Sequence, residues 1–275
     1  MKLTINDKAK LNNGVDIPYF GLGVYLSPPG EETYNAVRWA LEAGYRHIDT
    51  AAFYKNEHDV GRAVKDSHIP REEIFVTTKL WNDDHGYDRT LRAFDESLRK
   101  LGFDYVDLYL IHWPVSGLRN DSWRALEAIY KDGRSRAIGV SNYTTSHLKE
   151  LLNSCKVVPA VNQVEFSPFL YQKGLLKFCR ENNVELEAYS PLSRASKLND
   201  PRLKEIAVRY GKTPAQIMIR WALEHKIVVI PKSVHKERIY ENADVFDFEI
   251  SEADMQRLDS LDENYRVAWD PSRIP

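Results

Sequence analysis

Cysteine and long apolar segments are both scarce in this sequence. Its 275 residues include only Cys155 and Cys179. Two cysteines are too few for a disulfide framework or a four-thiolate zinc site, and we predict no metal site. No run of about 18 apolar residues, as a membrane-spanning helix needs, is present, and the start of the chain shows no apolar signal segment. These absences predict a cytoplasmic protein with no membrane partner.

An excess of charge of one sign is also lacking. The chain has 38 Lys and Arg residues against 40 Asp and Glu residues, and no run of like charge. Such a sequence offers no basic stripe for nucleic acid and no polybasic patch for anionic lipid. No linker rich in Pro, Gly or Ser divides it. Since one α/β barrel commonly needs about 250 residues, we predict a single domain spanning residues 1–275.

Short β-branched or aromatic runs alternate with longer stretches of helical periodicity. The first pair is YFGLG with EETYNAVRWALEAG, the last is IVVIPKS with KERIYENA, and eight such pairs occur along the chain. The short runs are mostly apolar on both faces, as expected for parallel strands covered by helices. The pattern predicts an α/β fold, a closed (β/α)8 TIM barrel.

Two further segments lie outside this alternation. TPAQIMIRWALEH begins with Thr213 and Pro214, a typical N-cap and first-turn pair, and predicts an extra helix beside the seventh crossover. Near the start, Asn13 and Gly14 stand between two short extended pieces and predict a hairpin with a two-residue loop. We expect this hairpin to cap the bottom of the barrel.

Four polar residues come at or just after the ends of predicted strands two to four. They are Asp49, Tyr54, Lys79 and His112. In a barrel of this kind the chemistry collects at the carboxyl ends of the strands. Taken singly, each residue has a structural explanation: a cap for Asp49, a rim aromatic for Tyr54, a solvated strand end for Lys79 and a satisfied core histidine for His112.

Together the four side chains form a device that could donate a proton to a carbonyl oxygen. An ammonium about 4 Å from a phenol contributes roughly 4 kcal/mol at an effective dielectric near 20, or about three pKa units. We therefore expect Lys79 to lower the pKa of Tyr54 towards neutrality, with Asp49 positioning the ammonium. Tyr54 would then act as general acid, and His112 would orient the carbonyl.

Motifs along nearly the whole chain resemble those of the aldo-keto reductase superfamily. These are GLGVYLSP, GYRHIDTAAFYKNE, TTKLWN, DYVDLYLIHWP, RAIGVSNY, VNQVEFSP, AYSPL and IPKSVHKERIYENADVFDF. Within the superfamily the chain is most similar to the short bacterial and protozoal reductases related to 2,5-diketo-gluconate reductase and prostaglandin F synthase. The resemblance implies a monomeric, NADPH-dependent reductase of aldehydes and ketones. Hydride would come from nicotinamide C4, and Asp49, Tyr54, Lys79 and His112 would be the catalytic tetrad.

The resemblance also implies where the cofactor binds. Ser141, Asn142 and Gln163 match the partners of the nicotinamide carboxamide, and Tyr189 matches the ring that stacks on nicotinamide. Lys232, Ser233 and Arg238 suit an adenosine 2′-phosphate, which favours NADPH over NADH. Glu241 and Asn242 match adenine contacts, and the remaining implied contacts are Val24, Tyr25, Asp49, Ser190, Leu192 and Val234. No GxGxxG motif is present, so a Rossmann domain is unsupported.

Some of these residues have structural alternatives. Tyr189 is also compatible with a core aromatic, Asn142 with a turn residue, and Glu241 and Asn242 with a solvated helix end. After AYSPL the family usually has a Gly-containing loop that folds over the pyrophosphate, where this chain has Ser193-Arg194-Ala195-Ser196. Arg194 is therefore a candidate for pairing with a phosphate.

The substrate is expected to bind against aromatic side chains. Tyr25, Trp81 and Trp113, with Tyr54 and His112, match the pocket wall of the family and imply apolar or planar carbonyl compounds. Simple packing is the alternative for Trp81 and Trp113. The loop VSGLRND and the tail NYRVAWDPSRIP are short, which predicts an open and tolerant pocket.

Two other functions remain open from the sequence. One is an NADPH-binding regulatory module with vestigial reductase activity, as in the potassium-channel β subunits of the superfamily. The intact tetrad argues against it. The other is an unrelated barrel lyase or isomerase that uses Lys79 to form a Schiff base.

Overall fold

An antiparallel hairpin precedes the barrel in the computed structural model, which describes residues 3–275. Its strands are β1 (Lys8–Lys10) and β2 (Asp16–Pro18). The Leu11 amide donates to the Val15 carbonyl oxygen, so three residues, and not the predicted two, form the loop. Gly14 supplies the third, with a φ of 85°. Gly takes this left-handed conformation without a Cβ clash, which suits a three-residue hairpin loop.

Eight parallel strands then pair in chain order. The first and last are joined by a parallel bridge between Phe20 and Val229 and by a 2.9 Å hydrogen bond from the Gly21 amide to the Val229 carbonyl oxygen. The predicted (β/α)8 barrel is confirmed. Its strands are β3 (Leu22–Gly23), β4 (His47–Asp49), β5 (Phe75–Leu80), β6 (Val106–Ile111), β7 (Ser135–Ser141), β8 (Val161–Glu165), β9 (Glu185–Tyr189) and β10 (Val228–Val229).

Helices cover the outside of the sheet. They are α1 (Glu31–Glu42), α2 (Glu57–Asp66), α3 (Tyr87–Leu101), α4 (Arg119–Lys131), α5 (Thr145–Leu152), α6 (Lys173–Glu181), α7 (Pro201–Tyr210), α8 (Pro214–Glu224), α9 (Lys236–Ala243) and α10 (Glu252–Asp259). The extra helix predicted in the seventh crossover is α8, and Thr213 forms its capping box with Gln216. Helix α10 was not predicted from the sequence. Between residues 3 and 275, no helix combines the length and apolar character needed to cross a membrane.

The interior of the barrel changes character along its axis. Beside the hairpin it is apolar, where Leu108, Val161 and Val228 form one cluster with Ile17 of β2. The side chain of Asn13 in the hairpin loop also donates to the Arg136 carbonyl oxygen, 2.9 Å away. The hairpin therefore caps this end, as predicted. The opposite end receives the carboxyl ends of the strands and carries buried polar side chains.

Candidate active site

A cavity of about 650 Å³ opens at the carboxyl ends of the strands. Nearly all of the predicted site residues border it. Those that do are Tyr25, Asp49, Tyr54, Trp81, His112, Trp113, Ser141, Asn142, Gln163, Tyr189, Ser190, Leu192, Lys232, Ser233, Val234, Arg238, Glu241 and Asn242. Lys79 lies fully buried behind Tyr54, and Val24 lies in the core, where its carbonyl oxygen accepts a hydrogen bond from Asn56.

Asp49, Tyr54 and Lys79 meet at the base of this cavity. Lys79 Nζ lies 2.6 Å from Asp49 Oδ1, 2.9 Å from the Thr50 carbonyl oxygen and 3.3 Å from the Tyr54 hydroxyl. The ammonium therefore donates to one carboxylate, one backbone oxygen and the phenol. Asp49 and Lys79 are buried, and Tyr54 is partly buried at the cavity wall.

The local sequence explains this placement. Asp49 ends β4 and Lys79 is the last residue but one of β5, so register pairing of the two parallel strands puts both at the same rim. A short 3-10 turn, Ala52–Tyr54, then brings Tyr54 back over Lys79. The turn ends at Lys55, whose φ of 60° reverses the chain direction.

Asn56 fixes this turn to the neighbouring loop. It is fully buried and accepts from Thr50 Oγ1 at 2.8 Å, while its amide nitrogen donates to the carbonyl oxygens of Val24 and Ser27 at 3.0 and 3.1 Å. The two bonds to Val24 and Ser27 hold the loop that carries Tyr25 against the turn that carries Tyr54, and the bond from Thr50 joins Asn56 to the end of β4. This contact was not predicted from the sequence.

The pKa of Tyr54 moves in the direction opposite to the prediction. Burial raises it well above 10, and the charge of Asp49 raises it further. The ammonium of Lys79 does not reverse this, because Asp49 lies 2.6 Å from the same ammonium and neutralises it. The prediction of a phenol that titrates near neutrality is wrong. Tyr54 is instead a protonated phenol that hydrogen-bonds to a cation.

His112 stands across from this group and is uncharged. Burial lowers its pKa well below 6.5, and the charge of Lys79 lowers it further. Its ring lies 5.6 Å from the ring of Tyr54 and 5.3 Å from that of Trp81, centroid to centroid. A neutral imidazole beside a neutral phenol can bind one carbonyl oxygen between them without repelling it.

Three amide and hydroxyl side chains form the next part of the wall. Ser141 Oγ donates to the Gln163 carbonyl oxygen at 2.9 Å, and Asn142 Nδ2 donates to the His112 carbonyl oxygen at 3.0 Å. Asn142 has a φ of 63°, a conformation that Asn tolerates better than most residues. The Tyr189 hydroxyl donates to Asn142 Oδ1 at 2.7 Å. The ring of Tyr189 is therefore held in place at the cavity wall.

Two cations border the far end of the cavity. They are Lys232, which follows β10, and Arg238 in α9. Burial lowers the pKa of Lys232, and the charge of Glu32 opposes this only in part. His235 borders the cavity between them and was not predicted. This end is suited to an anionic group.

Aromatic side chains line the mouth. Phe53 stacks on Trp81 with ring centroids 3.7 Å apart and an angle of 17° between the planes. Trp113 packs against Trp269 of the C-terminal tail at 5.6 Å. The short tail therefore still forms part of the wall. Its position is fixed by Glu165, whose carboxylate accepts from the Val267 and Ala268 amides at 2.7 and 3.1 Å.

The segment after β9 has an unusual backbone. Ser193, Arg194 and Ala195 have φ values of 46°, 48° and 66°. Non-glycine residues rarely adopt this region, and it costs of order 1–3 kcal/mol each. The turn directs the Arg194 guanidinium over the ring of Tyr25, 5.6 Å from its centroid, at the edge of the cavity.

Comparison with known families agrees with this geometry. A model of the Aldo/keto reductase family matches residues 21–263. The chain belongs to the aldo/keto reductase family. The resemblance deduced from the motifs is thereby confirmed.

Relatives of this aldo/keto reductase match it over almost its whole length. Glyoxal reductase of Bacillus subtilis (strain 168) is 50% identical over 274 residues, covering 100% of this chain and 99% of the relative. The 9,11-endoperoxide prostaglandin H2 reductase of Trypanosoma cruzi (strain CL Brener) is 51% identical over 267 residues, covering 96% and 94%. A crystal structure of a Bombyx mori aldo-keto reductase in complex with NADP superposes with a TM-score of 0.92 at 35% identity, covering 99% and 98%.

Besides Asn56, the residues at the site of this aldo/keto reductase that were missed in the sequence include Phe53, Trp269, Glu187 and His235. Phe53 directly precedes Tyr54, and its position next to a predicted site residue could have marked it as a stacking partner of Trp81. Trp269 lies in the tail and only the fold brings it to Trp113. Glu187 is one of two acidic residues in the strand VELEAY, and acidic side chains are unusual inside a barrel strand, which could have marked it. His235 lies in the sequence between Val234 and Arg238, which were both predicted.

Proposed function

We propose that this aldo/keto reductase reduces aldehydes and ketones to alcohols with NADPH as cofactor. The proposal rests on the observation that one cavity contains both neutral proton donors and a pair of cationic side chains. Tyr54 and His112 lie at its base in front of the buried pair Lys79 and Asp49, and Lys232 and Arg238 lie at its far end. Neutral proton donors thus face a carbonyl, and cations face an anionic cofactor group.

Tyr54 is the general acid in this proposal. Its phenolic proton passes to the carbonyl oxygen as the carbonyl carbon is reduced, and Lys79 Nζ, 3.3 Å from the phenol oxygen, stabilises the phenolate that remains. Asp49 holds the ammonium in position. Neutral His112 donates a hydrogen bond to the carbonyl oxygen and fixes its orientation.

The rest of the cavity is the proposed binding site of the cofactor. When bound, NADPH would supply the hydride that the reduction requires. Ser141, Asn142 and Gln163 would hold its carboxamide, and the fixed ring of Tyr189 would support its nicotinamide. Lys232, Ser233 and Arg238 would bind the adenosine 2′-phosphate, with Glu241 and Asn242 near adenine.

Substrates of this site are proposed to be small or planar carbonyl compounds. The stacked pair Phe53 and Trp81 and the pair Trp113 and Trp269 give a flat, apolar mouth. Glyoxal reductase of Bacillus subtilis, a relative at 50% identity, supports dicarbonyl compounds as one class. The aromatic walls support aromatic aldehydes and quinones as another.

Turnover with a panel of carbonyl compounds tests the proposal directly. We expect NADPH oxidation at 340 nm with methylglyoxal and 4-nitrobenzaldehyde, and slower oxidation with xylose, which is polar on both faces. Phenanthrenequinone and a diketo acid complete the panel. NADPH binding without turnover of any compound would support a regulatory module instead. Absence of NADPH binding, with borohydride trapping a substrate on Lys79, would support a Schiff-base enzyme.

The two cations predict a preference for NADPH over NADH. Replacing Arg238 by Ala should raise KM for NADPH by about 10- to 100-fold, the effect of losing a hydrogen bond between charged groups. KM for NADH should change less than about twofold. The neighbouring Lys236→Ala is the control, because Lys236 is exposed on the same helix and does not border the cavity. An equal rise for both cofactors would contradict the assignment.

A further inference from the structure

A buried carboxyl group lies inside the barrel directly behind the site. Glu187 is in the middle of β9 and has no exposed surface. Gln163 in β8 is its register partner. The side-chain nitrogen Nε2 of Gln163 lies 3.1 Å from Glu187 Oε2 and 2.8 Å from Asp49 Oδ2. One amide nitrogen therefore bridges the carboxyl group of Asp49 and a second carboxyl group deeper in the barrel.

This bridge decides which way the Gln163 amide points. Its NH₂ group has two N–H donors, and each has a carboxyl acceptor. The reverse orientation would turn the amide oxygen towards the Asp49 carboxylate, which cannot donate, and leave that carboxylate without this donor. The amide oxygen Oε1 is thus available to accept a hydrogen bond from another group. Within the described part of the chain no residue donates to it, and Gln163 borders the cavity.

Groups around Glu187 determine its charge. Its pKa is raised to about 8, mainly by burial and next by the charge of Asp49. Lys79 and Gln163 oppose this rise, while Glu185 on the same strand adds to it. His47, 3.5 Å away on β4, is neutral because burial lowers its pKa to about 3. The raised pKa favours the protonated form of Glu187, which leaves Asp49 as the main counter-charge of Lys79.

A neutral Glu187 accepts a hydrogen bond without adding a second negative charge beside Asp49. An amide could serve the same purpose at this position, because it has the same shape and one acceptor oxygen. An apolar side chain of the same length could not. Substitutions at this position can therefore distinguish hydrogen bonding by Glu187 from simple packing.

We infer that Glu187 is a positioning residue, which holds Gln163 with its amide oxygen turned to the cavity to accept from the nicotinamide carboxamide. The inference rests on the proposed function, because it requires a nicotinamide at that wall. Glu187 itself does not border the cavity. Its effect on cofactor binding passes through Gln163.

Binding of whole and half cofactors tests this assignment without turnover. NADP⁺ carries the carboxamide, whereas 2′,5′-ADP carries only the adenosine half, which would contact Lys232 and Arg238. Dissociation constants of both can be measured by quenching of tryptophan fluorescence at pH 7. Glu187→Met should raise the dissociation constant of NADP⁺ by about tenfold, the effect of one displaced hydrogen-bond partner. That of 2′,5′-ADP should stay within about twofold.

Two further variants complete the set. Glu187→Gln restores the acceptor and should bind NADP⁺ within about twofold of the wild type. Glu185→Met makes the same change two residues earlier on the strand, without a bond to Gln163, and should leave the ratio of the two constants unchanged. If Glu187→Met does not bind 2′,5′-ADP, Glu187→Ser takes its place, since serine is too short to reach Gln163.

The outcomes separate this inference from the proposed function. A wild type that binds NADP⁺ no more tightly than 2′,5′-ADP would overturn both. If the wild type binds NADP⁺ more tightly, an unchanged constant in the Glu187 variant would overturn the positioning role alone. The same holds if the variant weakens both ligands equally, because a general loss of structure would then explain the result.

Discussion

Replacing Tyr54 by Phe is expected to lower kcat by about 10²- to 10⁴-fold, the usual contribution of a general acid. The phenol is protonated across the neutral range, since burial raises its pKa, and its oxygen lies 3.3 Å from Lys79 Nζ. Removing the hydroxyl removes the proton that the carbonyl oxygen must receive. The ring itself remains, so the dissociation constant of NADPH should change little. Single-turnover oxidation of NADPH and a fluorescence titration measure the two quantities separately.

Tyr109→Phe is the matched control for this variant. Tyr109 is a buried tyrosine in β6, and its hydroxyl has no hydrogen-bond partner within residues 3–275. It does not border the cavity. The same chemical change should therefore leave kcat within about twofold of the wild type. A Tyr54→Phe enzyme that keeps more than a tenth of wild-type kcat would remove Tyr54 from the role of general acid.

The fold could be predicted because its signals are local and repeated. Eight short apolar runs, each followed by a helical period, are typical of a parallel barrel, and Thr213 with Pro214 marked the start of α8. The hairpin loop was predicted with one residue too few, because Asn13-Gly14 fits both a two-residue turn and the end of a three-residue loop. Only the pairing of Leu11 with Val15 separates them.

Most residues of the candidate site could be predicted from the sequence, but their protonation states could not. Motif positions led to Asp49, Tyr54 and Lys79, which the fold brings into contact. The pKa of Tyr54 depends on burial and on the pairing of Lys79 with Asp49, and a sequence gives neither distance. Glu187 was not predicted for a similar reason. Its partner Gln163 lies on another strand, and the contact exists only after the barrel has formed.

The second large effect concerns stability. Gly61 lies in α2, and a Cβ at this position would come within 1.9 Å of the Leu101 carbonyl oxygen and 2.7 Å of its carbonyl carbon in α3. Both atoms belong to the backbone, so no side-chain rotation relieves the clash. Gly61→Ala should therefore lower the free energy of unfolding by about 3 kcal/mol, the upper end of the usual cost of overpacking. Chemical denaturation followed by circular dichroism measures the loss.

Gly174→Ala separates this steric cost from the effect of alanine on a helix. Gly174 is exposed in α6, and a Cβ there would have nothing within 4 Å. In a helix, alanine is more favourable than glycine by about 1 kcal/mol. Gly174→Ala should therefore be neutral or stabilising, although the substitution is the same. If both variants gained stability, the close approach of α2 and α3 at Gly61 would be wrong. Opposite signs at the two positions would show that contact between helix backbones, and not helix propensity, requires glycine at residue 61.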